Sequence, residues 1–416
     1  MRVLLSTIGS RGDVQPLVAL ALQLIELGQE ARICAPPDFG EWIGTLGIPF
    51  VPVGPQVRQT AAPNPPAAQI PPTPEQLRQL MHGTVAGQFQ AITPAAKGCD
   101  LLVAGMALQF ALHSIAEQMR IPYVYAAWSP ITLPSPHHAP PPLPSWAQPA
   151  ADGTADNREL WTQDAKRWND QFAEAINSQR EAVGLAPVAD VRRHIFTDRP
   201  WLAADQTLAP WPPADLNVVQ TGAWIRSDHR QLSLELETFL DAGEPPVYFG
   251  FGSMRAPQDL GEAIVRAARA VGRRAIVSRG WAGVTLTDTA PDCLSIGEIN
   301  MQALFRRVAA VVHHGGAGTT TTAAQAGAPQ VVVPQMYDQH YWASRVHQLG
   351  IGTAHAPGAP SADSLTEALS RTLQPDVAAR ARTVAASVRI DGAEVAARRL
   401  IDEFSRSAPG HEFTGS

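Results

Sequence analysis

Short apolar runs alternate with segments of helical periodicity along the chain, from its first residues to about residue 404. The first run, Val3 to Ile8, predicts a buried parallel strand. Apolar residues then recur at helical spacing between Pro16, expected in the first helical turn, and Gly28, which ends the predicted helix. The next run, Glu30 to Ala35, predicts a second strand. This strand–helix–strand opening favours the α/β class.

The same alternation continues through the rest of the sequence, whose 416 residues suffice for two domains. Further strands are predicted at residues 101–104, 123–126, 247–253, 274–278, 295–300, 308–312 and 330–334. Further helices are predicted at residues 75–96, 161–183, 232–242, 264–271, 302–306 and 387–404. The prolines of residues 206–218 indicate a boundary between domains. We therefore predict domains at 1–215 and 216–386, a last helix at 387–404 and a disordered tail at 405–416.

Composition excludes several classes of protein. Hydrophobic residues make up 45% of the chain and charged residues 17%, so a sizeable core is expected. The net charge of −6 argues against a nucleic-acid-binding protein, which is usually basic. Three scattered cysteines, Cys34, Cys99 and Cys293, fit a reducing compartment. With no signal-peptide core and no apolar stretch of about 18 residues, we expect a soluble, cytoplasmic monomer.

A glycine-rich turn follows the strand predicted at 308–312. It carries two histidines, three glycines and a run of threonines before the next helix, in the order His313, His314, Gly315, Gly316, Ala317, Gly318, Thr319. Glycines let a backbone approach a ligand closely, and the start of a helix attracts anions. An imidazole at the carboxyl end of the strand can donate to a phosphate oxygen. The turn predicts an anion site, the alternative being a tight turn that binds nothing.

Two other strand ends carry polar residues. Asp338 and Gln339 follow the strand at 330–334, and a carboxylate beside an amide suits sugar hydroxyls. The alternative is a cap for the helix that begins near Tyr341. Asp13 follows the first strand, where it is a candidate general base facing a cleft or, alternatively, a helix cap.

A proline-rich stretch, residues 129–149, follows the strand at 123–126 and cannot form a regular helix. Long loops at this edge of a sheet usually serve binding. We interpret it as part of an acceptor site, with Trp128, His137, His138 and Trp146 as candidate contacts. The alternative is a surface excursion without a binding role.

The sequence His-His-Gly-Gly-Ala-Gly-Thr, followed by Pro-Gln-x-x-Asp-Gln, resembles the donor site of family 1 glycosyltransferases. These are inverting, nucleotide-sugar-dependent enzymes of the GT-B fold. The stretch Gly-Ser-Arg-Gly-Asp-Val-x-Pro-Leu-Val-Ala-Leu near the N-terminus resembles the vancomycin group in particular. The proline-rich loop resembles that of its glucosyl-type members. The resemblance extends from Arg2 to about Phe404.

The resemblance implies two Rossmann-like domains facing across a cleft, the first binding acceptor and the second donor, with the last helix crossing back to the first domain. It implies that Asp13 is the general base of catalysis and that Ile299 contacts the nucleobase of the donor. We also assign Ser10, Arg11 and Ser253 to the donor site. Thr321 stands where plant-type members carry an acid, so the choice between UDP- and dTDP-sugars stays open.

The implied reaction is transfer of glucose or N-acetylglucosamine to a phenol of a glycopeptide antibiotic aglycone. No Asp-x-Asp pair is present, so we expect no metal ion and no cofactor beyond the nucleotide-sugar co-substrate. Alternatives are a glycosyltransferase acting on a macrolide, polyketide or flavonoid, a GT-B sugar-nucleotide 2-epimerase, and a non-catalytic carbohydrate-binding protein. The expected partners are then a small-molecule donor and a small-molecule acceptor. We expect no nucleic acid and no inserted membrane segment.

Overall fold

The computed structural model describes residues 1–58, 73–106, 108–141, 155–254, 257, 259–286, 290–356 and 358–405. Its described part contains two parallel sheets, ordered β3-β2-β1-β4-β5-β6-β7 and β10-β9-β8-β11-β12-β13. The first sheet consists of β1 Arg2–Thr7, β2 Glu30–Ala35, β3 Phe50–Pro52, β4 Leu101–Gly105, β5 Tyr123–Ala127, β6 Trp201–Leu202 and β7 Val219–Gln220. The second consists of β8 Val247–Gly250, β9 Ala275–Ser278, β10 Cys293–Ile296, β11 Ala310–His313, β12 Gln330–Val332 and β13 Gly352–Ala354.

Helices cover both faces of each sheet, as parallel strands require. Those of the first half are α1 Arg11–Glu26, α2 Gly40–Thr45, α3 Pro74–Ala96, α4 Leu112–Met119, α5 Asn157–Ala182 and α6 Val191–Phe196. Those of the second are α7 Leu234–Asp241, α8 Leu260–Ala270, α9 Met301–Leu304, α10 Ala317–Gln325, α11 Gln339–Gln348, α12 Ala362–Thr372, α13 Pro375–Ala385 and α14 Gly392–Phe404. The α/β class and the two-sheet architecture predicted from the sequence are confirmed.

Strand order reverses between β1 and β4 in the first sheet and between β8 and β11 in the second. The carboxyl ends of the strands at such switch points form the usual ligand-binding crevice of an open α/β sheet. Asp13 follows β1, and the glycine-rich turn follows β11. The topology therefore directs both motifs toward the space between the sheets.

Two local predictions need correction. The first helix begins at Arg11, because Ser10 and Asp13 form a capping box, and Pro16 consequently lies in the second turn. The first sheet extends beyond residue 215, because β7 pairs in parallel with β6. The prolines of 206–218 thus form a connection within that sheet, and the chain passes to the second sheet only after Gln220. Of the predicted tail, residues 406–416 lie outside the described residues.

The last helix, α14, packs against α1 of the first domain. It starts at Gly392, not at residue 387, immediately after an antiparallel bridge between Trp224 and Asp391. Ala393, Ala396, Ala397 and Leu400 are buried in the same apolar cluster as β1 and α1. In the described part of the chain, no helix is both long and apolar enough to cross a membrane.

The crossing of α14 depends on a contact between two glycine backbones. A Cβ atom on Gly392 would lie 2.3 Å from the carbonyl carbon of Gly222. Replacing Gly392 by Ala should therefore lower the free energy of unfolding by about 1–3 kcal/mol, the usual cost of overpacking. Urea unfolding followed by tryptophan fluorescence measures this change.

Gly44→Ala is the matched control, since a Cβ on Gly44 in helix α2 meets no atom within 4 Å. It should be neutral or slightly stabilising. Equal stability of Gly392→Ala and the unmodified protein would contradict the role given to the glycine contact.

Candidate active site

A cavity of about 2890 Å³ lies between the carboxyl edges of the two sheets. It is larger than the roughly 300–1,000 Å³ of a typical small-molecule pocket. Its walls include the ends of β1, β5, β8 and β11 and the connection that follows β12. The cavity has room for two substrates side by side.

Asp13 lines the cavity on the side of the first domain. Its Oδ2 atom accepts hydrogen bonds from the backbone N–H of Ser10 at 2.7 Å and from the Ser10 hydroxyl at 3.2 Å. Burial raises the pKa of Asp13 to about 6, against the opposing effect of the Ser10 hydrogen bonds. The carboxyl is therefore both a helix cap and a group poised to accept a proton near neutral pH.

Gly9 makes room for this carboxyl. A Cβ atom on Gly9 would lie 2.2 Å from Oδ2 of Asp13. No side chain can occupy position 9 unless Asp13 moves. Gly9 therefore fixes where the candidate base stands, although it carries no chemistry itself.

The start of helix α10 faces the cavity from the opposite side. Its N-cap residue, Gly316, provides no side-chain hydrogen bond. Ala317, Gly318 and Thr319 line the cavity beside it. The threonine hydroxyls of the following turn bond back to carbonyls within the helix instead of capping its start, as Thr321 does with the carbonyl of Ala317 at 2.8 Å. The first N–H groups of the helix have no carbonyl partner within it, and the helix dipole adds partial positive charge. This end of α10 is therefore suited to bind an anion.

The two histidines have different roles from those expected. His313 is fully buried and does not line the cavity. Its Nδ1 accepts from the N–H of Gly315 at 3.1 Å, and its Nε2 lies 2.9 Å from Oε1 of Gln330. His313 is the last residue of β11, and both of its ring nitrogens are engaged by protein groups. Its assignment as a phosphate contact is therefore wrong, and it holds the glycine turn in shape.

His314 is the histidine that lines the cavity. Its ring lies between two glycines: a Cβ on Gly252 would be 2.9 Å from Cε1, and one on Gly316 would be 2.7 Å from Nε2. Burial lowers its pKa to about 4, so the ring is neutral at physiological pH. Gly315, at φ +94°, keeps its backbone in a left-handed turn behind the ring and does not itself reach the cavity.

Asp338 and Gln339 both line the cavity beyond β12. Oδ2 of Asp338 accepts from the indole N–H of Trp342 at 2.9 Å. Burial raises the pKa of Asp338 to about 6, and the charge of Asp13 adds to this rise. Oε1 of Gln339 accepts a hydrogen bond from the backbone N–H of Gln335 at 2.8 Å. This side chain therefore stabilises the loop that precedes it. Asp338 is thus the freer of the two groups for a sugar hydroxyl.

Four arginines and the two carboxylates that pair with them, Asp228 and Glu298, line the donor half of the cavity, so positive charge is in excess there. Arg11, Arg226, Arg230 and Arg279 line it, together with the predicted contacts Ser10, Ser253 and Ile299. Arg11 lies 3.5 Å from the carboxylate of Glu298, which belongs to the other domain, and stacks over the ring of Trp42 at 3.4 Å. The ion pair links the two walls of the cavity.

The predicted acceptor residues divide into three groups. Trp128 lines the cavity with its ring packed at 5.2 Å on that of Trp224. His137 and His138 do not line it, because their Nε2 atoms bond to the carbonyls of Pro213 and Leu133. They hold the proline-rich loop in place. Their prediction as acceptor contacts is therefore not supported by their positions. Trp146 lies outside the described residues.

Several cavity residues were missed by the sequence reasoning. Arg226, Arg230 and Arg279 lie in no recognisable motif, and Tyr337 is an isolated aromatic residue. Tyr337 is the one with a local signal in the structure, because its φ of +53° is unusual for a side chain of its size. One group in the described part could bind a metal ion, formed by His113, Glu117 and His194. It lies away from the cavity, and Arg180 already pairs with Glu117 there.

Comparison with known proteins agrees with this geometry. Residues 3–135 match the model of the glycosyltransferase family 28 N-terminal domain. Residues 270–398 match that of the erythromycin biosynthesis protein CIII-like C-terminal domain. The solved structure of the kitacinnamycin glycosyltransferase superposes with a TM-score of 0.72 at 18% identity, over 96% of this chain and 98% of its own. The fold is that of the GT-B glycosyltransferases.

Curated sequences place the chain more closely. Vancomycin aglycone glucosyltransferase of Amycolatopsis orientalis is 50% identical over 98% of this chain and 99% of its own length. The dTDP-epi-vancosaminyltransferase of the same organism is 44% identical over 98% of this chain and 99% of its own. The chain belongs to the family of the vancomycin-group glycosyltransferases, and it is a nucleotide-sugar-dependent enzyme acting on small molecules.

The different positions of the two histidines generate a test. His314→Ala should weaken binding of free UDP or dTDP about 10- to 100-fold, because a hydrogen bond to a charged group contributes about 1.5–3 kcal/mol. Calorimetric titration with each diphosphate measures the loss. His137→Ala is the control, since that ring bonds to the Pro213 carbonyl outside the cavity. Unchanged affinity in His314→Ala would show that the anion does not bind at the start of α10.

Proposed function

We propose that the protein transfers a sugar, glucose or N-acetylglucosamine, from a UDP- or dTDP-sugar to a phenolic hydroxyl of a glycopeptide antibiotic aglycone. The observation that carries this proposal is the placement of Asp13 across one cavity from the open start of α10. A base and an anion site facing one another are what an inverting displacement requires. The acceptor class is supported by one named relative, the vancomycin aglycone glucosyltransferase.

In the proposed reaction, the acceptor hydroxyl enters from the first domain and loses its proton to Asp13. Its oxygen forms a bond to the anomeric carbon as the bond from that carbon to the diphosphate oxygen breaks. Attack occurs opposite the leaving group, so the configuration inverts. The negative charge that leaves with the diphosphate is stabilised by the amides of α10, by His314 and by the nearby arginines. No metal ion or further cofactor is required by these steps.

The walls of the acceptor half support a large, mostly apolar acceptor. Leu80 and Leu108 line the cavity from the first domain and Met336 faces them from the second, and these side chains are 54%, 47% and 50% exposed. Exposed apolar side chains gathered in a cavity mark a site for an apolar partner. Phe110 and Phe172 extend this wall with stacked rings, and Trp168 packs against both at a tilt. A phenol, with a reference pKa near 10, suits a carboxylate base.

Substrate profiling tests the acceptor. Glycopeptide aglycones, a macrolide and a flavonoid are each incubated with UDP-glucose, UDP-N-acetylglucosamine and dTDP-glucose, and products are weighed by mass spectrometry. We expect one added hexose or N-acetylhexosamine on a glycopeptide aglycone. Transfer to the macrolide or flavonoid with none to glycopeptides would contradict the acceptor class and leave the glycosyltransferase activity standing. Conversion of the nucleotide sugar to its epimer would instead support the 2-epimerase alternative.

Asp13→Asn tests the base. The amide keeps an oxygen that can accept from Ser10, so the helix cap remains while proton acceptance is lost. Turnover should fall about 10²- to 10⁴-fold, the usual contribution of a general base. In the unmodified enzyme, turnover should be present above pH 6 and decline as the pH falls through 6, because Asp13 is then protonated.

Free diphosphate binding and the melting temperature are the controls and should not change. Asp338 titrates in the same range, so the pH profile of Asp13→Asn isolates its separate effect. Turnover of Asp13→Asn equal to that of the unmodified enzyme would reduce Asp13 to a helix cap.

A further inference from the structure

Arg167 is a charged residue in a mostly apolar wall of the acceptor half, where Asp170 of the same helix also lines the cavity and is neutralised by its ion pair with Lys166. It lies on α5 and lines the cavity beside Leu160, Trp168 and Phe172. Its side chain is 31% exposed, and among the described residues its Nε atom is buried without a hydrogen-bond partner. A guanidinium with an unused donor in apolar surroundings is costly unless something pairs with it.

The charges around Arg167 do not balance. Nη2 of Arg167 donates to Oδ1 of Asp164 at 2.9 Å, and Nη1 of Arg192 donates to Oδ2 of the same carboxylate at 3.2 Å. Two guanidinium groups therefore share one buried carboxylate, which leaves a net charge of +1. Arg192 is only 12% exposed and does not line the cavity. The excess positive charge is therefore presented to the cavity by Arg167.

Arg167 lines the same cavity as Asp13 and Asp338. Tyr337, which precedes Asp338, lines the cavity. The charges of Asp338, Asp164 and Asp13 all raise the pKa of its hydroxyl above the usual value, with burial as the main cause. Arg167, the candidate base and the candidate sugar contact therefore line one cavity, with Asp164 behind Arg167.

We propose that Arg167 forms a subsite for a carboxylate carried by the acceptor, such as the carboxyl terminus of a peptide aglycone. This inference rests on the proposed function and adds to it the charge of the acceptor. A planar guanidinium matches a carboxylate in shape and can donate to both oxygens. The low-dielectric aromatic wall strengthens this attraction relative to the same pair in water.

The donor's diphosphate is not the anion for this subsite. The start of α10 and the arginines of the second domain already provide for the diphosphate, whereas Arg167 belongs to the first domain. Arg58 also lines the cavity, but it is exposed to solvent. Arg167 is the cation whose second carboxylate partner the acceptor would supply.

The test compares an aglycone that has a free carboxyl terminus with its methyl ester, using the intact enzyme and a saturating donor. For the unmodified enzyme we expect a KM about 10- to 100-fold lower for the free acid, the value of one hydrogen bond to a charged group. Arg167→Met should abolish this preference by raising the KM of the acid, while the KM of the ester stays nearly constant. Arg167→Lys should retain part of the preference, because it keeps the charge without the fork.

Arg158→Met is the matched control. It makes the same substitution on the same helix, but Arg158 is 63% exposed, pairs with Asp215, and neither residue lines the cavity. It should leave the acid-to-ester ratio unchanged. Asp164 keeps Arg192 as a partner in Arg167→Met, and thermal unfolding checks that this variant is folded.

Two results separate the possible failures. An enzyme that glycosylates acid and ester with equal KM, or whose preference survives in Arg167→Met, contradicts the carboxylate subsite alone. An enzyme that transfers sugar to neither form, yet uses another acceptor, contradicts the proposed function on which the subsite rests.

Discussion

The close approach of the Gly222 and Gly392 backbones is the constraint on which the arrangement of the two domains depends. It lets the chain leave the second domain and lay α14 against α1, where Leu400 joins the core of the first domain. The same helix α1 begins at the capping box that contains Asp13. The packing of the last helix is therefore mechanically connected to the position of the candidate base.

Desolvation determines the chemistry of the cavity. It raises the pKa of both Asp13 and Asp338 to about 6 and lowers that of His314 to about 4. Carboxyl groups that accept protons near neutrality and an imidazole that stays uncharged are therefore consequences of one environment. The hydrogen bonds from Ser10 oppose the shift at Asp13 and keep its pKa from rising further. The carboxyl group of Asp13 therefore serves both as the helix cap and as the candidate base, and its pKa is set by burial and by the hydrogen bonds from Ser10.

The sequence predicted what depends on periodicity and on backbone freedom. The strands, the glycine turn and the placement of Asp13 and Asp338 at strand ends follow from patterns of apolar residues and glycines. The choice between His313 and His314 could not be made in this way, because one residue of difference along a strand reverses the face on which a side chain lies.

Residues whose roles depend on distant partners were also beyond prediction. His137 and His138 bond to carbonyls of Pro213 and Leu133, which no spacing along the chain reveals. Arg167 lies in a helix rich in charged residues, where sequence alone suggests a solvated face. Only the packing of α5 against the cavity distinguishes it from Lys166, its exposed neighbour.

The size of the cavity has a consequence for the stability of the activated sugar. At about 2890 Å³, the space remains full of water when a nucleotide sugar alone is bound. A carboxylate beside the anomeric carbon can also accept a proton from water, which is less acidic than a phenol but far more abundant, and the donor would then be slowly hydrolysed. A bulky, rigid acceptor that fills the first half of the cavity displaces this water as it binds. Acceptor size then protects the donor from wasteful cleavage, and a small acceptor that fits the base equally well would leave the bond open to solvent.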